Sequence, residues 1–251
     1  MPIGRQSPQS HWLHNNEFDQ IRNIRYRFNM NTSALPARTF AAFLFDMDGT
    51  ILNSIEAAER AWAAWARKHG LDVEAFLPTI HGVRGIETIS RLQLPGVDPY
   101  AEVREVLHAE MEDMGGVRAI AGAPKFLASL PEDRWAIVTS SPRELAIRRL
   151  DAAGLPHPKN FITGEDVENG KPAPDCFLLA AQRLGQPIED CLVFEDAPAG
   201  IRAAEAAGAS VVVVTAAHER PIGTVHPSIL SYEALVAHHL AEGGLRLGPA
   251  A

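Results

Sequence analysis

The sequence predicts a doubly wound α/β fold, a parallel sheet interrupted by an all-helical insertion, on three observations. Short apolar runs without polar alternation recur at Phe40–Phe45, Trp135–Val138, Cys191–Phe194 and Ser210–Val214, the pattern of strands buried on both faces. Helical patterns separate them at Glu144–Ala153, Asp175–Leu184 and Pro198–Ala207, each followed by a glycine (Gly154, Gly185, Gly208) where a helix would stop. Between the first run and the second, however, residues 55–116 read as helix after helix with no strand-like run. Strands alternating with helices of this size require crossover connections, and those place helices on both faces of a parallel sheet.

In chain order, residues 1–39 lack a sustained apolar period and carry Arg5, Arg22, Arg25, Arg27 and Arg38 against Glu17 and Asp19. They are expected to be a disordered basic extension, with Met30 as a natural alternative start; no apolar core of a secretory signal is present. Residues 40–54 and 117–242 are expected to form the Rossmann-like core. Residues 55–116, with patterns at Ile55–His69, Ile86–Leu92 and Tyr100–Met114, make a helical cap inserted after the first strand, in which Trp62 and Trp65 are core residues. Gly115-Gly116 and Ala121-Gly122-Ala123-Pro124 read as the return crossing, and residues 243–251 as a frayed tail.

The chain has 251 residues, 46% of them hydrophobic and 22% charged, with a formal net charge of −8. That composition excludes disordered and fibrous classes, and the acidic balance argues against nucleic acid as a partner, which needs a basic face. No run reaches the roughly 18 apolar residues of a membrane span. Two cysteines, Cys176 and Cys191, make no disulfide framework, and a reduced cytoplasmic setting is expected.

Ligands of an open parallel sheet collect beyond the carboxyl ends of its strands. The polar residues after each run are Asp46 and Asp48, Thr139-Ser140-Ser141, and Glu195-Asp196, with Lys171 in a fourth loop. Four carboxylates at one edge would repel by a few kcal/mol at close range with an effective dielectric of about 20. A cation or proton uptake relieves this, and an oxygen-only donor set suits Mg²⁺.

These residues resemble the motifs of the haloacid dehalogenase superfamily: Phe45-Asp46-Met47-Asp48-Gly49-Thr50 the first, Thr139 the second, Lys171-Pro172 the third and Phe194-Glu195-Asp196-Ala197-Pro198-Ala199-Gly200-Ile201 the fourth. The insertion point resembles the helical-cap subfamily. Trp135–Ser140, Phe161-Ile162-Thr163-Gly164, Gly170-Lys171-Pro172 and His81-Gly82-Val83-Arg84 are similar to its glycerol-3-phosphatase and 2-deoxyglucose-6-phosphatase group.

The resemblance implies a Mg²⁺-dependent phosphomonoesterase of small sugar or polyol phosphates. Asp46 would be the nucleophile and Asp48 the general acid and then base. The metal set would be Asp46, Asp48, Asp196 and Glu195, with Asp48 contributing its backbone carbonyl and Glu195 either behind the direct ligands or reached through water. Thr139, Ser140 and Lys171 would hold the phosphoryl group, and Arg84 would fork onto substrate oxygens from the cap. A dehalogenase would lack Asp48, and a phosphonatase would need a cap lysine for which Lys68, at a helix end, is a poor candidate. Two readings remain as alternatives. A β-phosphoglucomutase-type mutase normally carries a cap histidine where this chain has Ala58, and a non-catalytic binding protein would be expected to lose Asp46, Asp48 or Asp196.

Overall fold

The computed structural model describes residues 35–218, 223–241 and 243–250. Most of the expected N-terminal extension, Met30 included, lies outside these residues. A six-stranded parallel sheet dominates, in the order β6 (Phe161–Ile162), β5 (Trp135–Val138), β2 (Ala42–Phe45), β7 (Cys191–Glu195), β8 (Ser210–Val214), β9 (Ser228–Ile229). The central strand β2 sets Phe45 beside Ile137 of β5 and Phe194 of β7. With β2 flanked on both sides, the carboxyl ends of β2, β5 and β7 are neighbours, the position at which such sheets bind ligands.

Alternation along β2 explains why the whole run is apolar. Ala42 and Leu44 point to one face, packing with Val138, Val193 and Val213 against Phe177 and Ala180 of α7 (Asp175–Leu184) and Ala203 and Ala204 of α8 (Pro198–Ala207). Phe43 and Phe45 point to the other, where they meet Phe126 of α5 (Ala123–Ala128), Ala146 and Leu150 of α6 (Arg143–Ala153), and Tyr232. Phe45 stacks on Phe194 with ring centroids 4.7 Å apart. Gly154, Gly185 and Gly208 terminate α6, α7 and α8 in left-handed conformation, as the sequence spacing required.

Residues 55–112 carry α1 (Ile55–Lys68), α2 (Val73–Phe76), α3 (Gly85–Ser90) and α4 (Pro99–Glu112) around their own apolar cluster of Trp62, Trp65, Phe76, Ile80, Ile89 and Val106. Local chemistry fixes the ends. The Asp98 side chain accepts the Tyr100 N–H ahead of α4 with Pro99 in its first turn, and Arg67 and Lys68 sit at the negative end of α1. The chain enters and leaves this insertion through an antiparallel pair, β3 (Leu52–Asn53) with β4 (Arg118–Ala119), which the sequence reading lacked.

Two expectations need correction. The run Phe40–Phe45 is not one strand: Thr39 and Phe40 form β1, which joins a separate antiparallel sheet, and the parallel strand starts at Ala42. The expected frayed tail carries a strand over Gly244–Pro249 as well. β10 (Leu235–Leu240) and β11 (Gly244–Pro249) form a hairpin with β1 on the outer edge of β11. Burial drives this, because Leu235, Ala237, Leu245 and Leu247 cover Phe40 and Tyr232 on the Phe43 face of the main sheet.

Candidate active site

Asp46 follows β2 directly, and its N–H donates to the Phe194 carbonyl at 2.9 Å, so sheet pairing holds the residue in place. Its carboxylate is buried beside those of Glu195 and Asp196, with oxygens of all three within 4.8 Å of one another. Lys171 supplies the counter-charge. Its ammonium is 1% exposed and donates to Asp46 Oδ1 at 2.6 Å, Glu195 Oε1 at 2.8 Å and the Val138 carbonyl at 3.1 Å, which uses all three of its protons. Asp46 Oδ2 is buried with no hydrogen-bond partner among the described residues.

Burial is the largest influence on Asp46 and raises its carboxyl to about 7; Lys171 pulls against this, and Glu195 and Asp48 add to the rise. Burial likewise pushes Glu195 and Asp196 upward, opposed by Lys171 at Glu195 and by His218 at Asp196. On Lys171 burial acts in the opposite sense, yet Asp46 and Glu195 outweigh it and hold the ammonium charged.

Two glycines make this density possible. Gly49 has φ +91°, and a Cβ there would lie 1.9 Å from Asp196 Oδ2; a Cβ on Gly200 would lie 1.5 Å from Glu195 Oε1. Glu195 is fully engaged, since Oε2 accepts the N–H groups of Asp196 (2.7 Å) and Ala197 (2.8 Å) while Oε1 accepts Lys171. Its role in the geometry is to orient Lys171 and the Asp196 loop. The three carboxylates offer oxygen donors only, a set that fits a hard divalent cation.

The Asp48 side chain turns elsewhere. It accepts Ser54 Oγ (2.5 Å) and Arg149 Nη1 (3.0 Å) on Oδ1, and Ser141 Oγ (2.9 Å) and Thr139 Oγ1 (3.4 Å) on Oδ2. It lies outside the carboxylate cluster that could hold a metal, so of the four expected metal residues its side chain is the one set apart. Instead it borders a cavity of about 100 Å³ between the core loops and the helical insertion. Asp46, Thr139 and Ser141 line the cavity from the core, and His81, Trp62 and Glu110 from the insertion.

Two expected phosphoryl or substrate contacts are committed to other partners. Ser140 Oγ donates to the Gly82 carbonyl at 2.9 Å, bracing the insertion. Arg84 does not reach the cavity. Its guanidinium donates to the carbonyls of Gly164 (3.2 Å), Val167 (3.0 Å) and Glu168 (2.7 Å) and to Glu87 (2.5 Å). A loop with free carbonyls captured it as a strap between the insertion and the core.

Sequence reasoning missed Arg149, Ser54, Glu110 and His218. Arg149 is 4% exposed and bridges Asp48 to Glu110 of α4, whose Oε1 accepts Nη2 at 2.9 Å. A signal for it existed: Leu145, Ala146 and Leu150 form the buried stripe of α6, and position 149 falls within that stripe. His218, at 2.7 Å from Asp196 Oδ2, follows β8 in a segment with no motif.

A family model described as haloacid dehalogenase-like hydrolase matches residues 40–208. Hexitol phosphatase A of Escherichia coli is 43% identical over 183 residues, covering 71% of this chain and 85% of that protein. The 2-deoxyglucose-6-phosphate phosphatase 2 of Saccharomyces cerevisiae is 36% identical over 202 residues, with 71% and 81% covered. Among solved structures, a hydrolase from Pseudomonas syringae superposes with a TM-score of 0.67 at 27% identity, covering 75% of this chain and 93% of that one.

Proposed function

The chain belongs to the haloacid dehalogenase-like hydrolase family, and from that premise we propose that it hydrolyses phosphomonoesters of small sugars or polyols through an aspartyl-phosphate on Asp46. The observation that carries this reading is the asymmetry of the Asp46 carboxylate. Lys171 holds Oδ1, leaving Oδ2 of that carboxylate unengaged by the described residues, on a side chain that lines the cavity.

In this reading Oδ2 attacks phosphorus in line with the ester oxygen, and the phosphorus–oxygen bond to the sugar or polyol breaks. Asp48, held at the cavity wall by Ser54, Ser141 and Arg149, gives its proton to the departing alkoxide. The same carboxylate then takes a proton from water as the water oxygen attacks the phosphoryl group, releasing inorganic phosphate and restoring Asp46. Lys171 favours the ionised form of Asp46, and Thr139 lines the same cavity.

Asp46 and Asp196 are the residues that would hold Mg²⁺, with Glu195 behind them orienting Lys171. Bound there, the ion would favour ionised Asp46 and offset charge on the phosphoryl oxygens. The helical insertion acts as the cap, positioned over the site by Ser140 and Arg84, and limits access to small esters. Ala58 stands where a mutase would present a cap histidine, which favours water as the acceptor.

Release of inorganic phosphate from hexitol and glycerol phosphates in Mg²⁺ tests the reading. Turnover is expected to vanish on chelation and to fall at least about a thousand-fold in Asp46→Asn. Undiminished turnover in either case would refute it.

A further inference from the structure

The cavity beside Asp48 holds an unusual charge arrangement. Two side chains lining it are capable of positive charge, Arg149 and His81, and both already face carboxylates. Arg149 places Nη1 on Asp48 (3.0 Å) and Ser141 (3.2 Å) and Nη2 on Glu110 (2.9 Å), while its Nε is buried away from solvent. His81 Nε2 lies 3.1 Å from Glu59 Oε1. Among the described residues lining the cavity, no cation is left unbalanced, because Arg149 is shared between Asp48 and Glu110. The remaining wall is apolar, from Trp62, Ile80, Val103 and Leu107.

Building on the phosphatase reading above, we propose that Glu110 is a specificity-determining residue. Through its pairing with Arg149 it makes the leaving-group pocket accept neutral polyhydroxyl groups and reject those carrying a carboxylate. A neutral hydroxyl can donate to Glu110, of which Arg149 engages only Oε1, so it finds a partner in the cavity. A carboxylate there finds no free positive charge and faces Glu110 at short range. With Arg149 committed to Glu110 and Asp48, a carboxylate in this pocket gains no counter-charge for its lost hydration, which implies discrimination on the order of a hundred-fold. Glu110 reaches this position because it lies on α4 of the insertion, one turn beyond Val106, which anchors the helix in the apolar cluster.

The test is a matched pair of substrates, glycerol 3-phosphate and 3-phosphoglycerate, which differ in a terminal hydroxymethyl against a carboxylate. For the intact protein with Mg²⁺, kcat/KM is expected to favour glycerol 3-phosphate by about a hundred-fold. Glu110→Gln is expected to shrink that ratio at least ten-fold, chiefly by raising kcat/KM for 3-phosphoglycerate. Glu110→Asp, which keeps the charge, should retain most of it. A purely structural role for Glu110 would lower both substrates in proportion and leave the ratio unchanged, and that result would overturn the proposal. Comparable turnover of the two substrates by the unmodified protein would also overturn it, leaving the phosphatase reading intact. Failure to cleave any phosphomonoester, p-nitrophenyl phosphate included, would instead remove the reading on which it rests.

Discussion

Asp46 is asked to do two things that burial sets against each other. It must be enclosed to attack phosphorus without competing water, and it must be ionised, yet enclosure lifts its carboxyl to about 7. Lys171 meets part of the cost, and a divalent ion would meet the rest. Binding of Mg²⁺ should therefore displace a proton. Each ion is expected to release about half a proton near pH 7 and close to one near pH 6, and affinity should rise with pH and level off above about pH 8. Titration calorimetry in two buffers of different ionisation enthalpy measures this; pH-independent affinity with no proton release would contradict it. At this scale the sequence was informative where side chains follow strands directly. Asp46, Glu195, Asp196 and Lys171 meet as their strand-end positions implied. The side-chain contacts of Arg84 and Ser140 were not legible, because their partners are mostly backbone carbonyls, which have no sequence signature.

The helices of the insertion are joined by one carboxylate as well as by apolar packing. Glu102 of α4 accepts the Trp65 indole N–H (2.8 Å), His69 Nε2 (2.9 Å) and Lys68 Nζ (3.0 Å) from α1 and its end. His69 and then Lys68 depress its carboxyl from 4.5 to about 2, against the opposing effect of burial. A carboxyl depressed on folding stabilises the native state above its unfolded value and loses that contribution as pH falls through its folded one. The gap in Tm between the unmodified protein and Glu102→Gln should thus be largest near pH 7. It should narrow from about pH 4.5 towards pH 2, as followed by near-ultraviolet circular dichroism of the tryptophans. A gap that stays constant with pH would exclude the linkage. The helices themselves were readable from the sequence, because α1 and α4 are long and Pro99 marks a start. The β3–β4 pair was not, since two residues on each side carry no period.

Across the whole molecule, the parallel sheet was legible for a simple reason: burial on two faces leaves uninterrupted apolar runs. The β10–β11 hairpin shows the converse. Its sequence contains His238, His239, Gly248 and Pro249, and it becomes a strand pair only because Phe40 and Tyr232 offer an apolar shelf for Leu235, Leu245 and Leu247. Its contribution to stability should be that of a core element. Leu247→Ala is expected to cost about 2–4 kcal/mol in denaturant unfolding while leaving kcat in the folded protein near its original value. A loss under about 0.5 kcal/mol, the range of ordinary surface substitutions, would mean that the tail frays after all.

The chemistry of Asp46 can be read directly by trapping. Asp48→Asn should slow breakdown of the aspartyl-phosphate, and borohydride added during turnover of p-nitrophenyl phosphate, whose leaving group needs no proton, would reduce that acyl phosphate to homoserine. Peptide mass spectrometry is expected to find homoserine in place of Asp46 and at no other position. Turnover that proceeds with residue 46 unmodified, or a phosphoryl group recovered on a different side chain, would show that Asp46 is not the nucleophile.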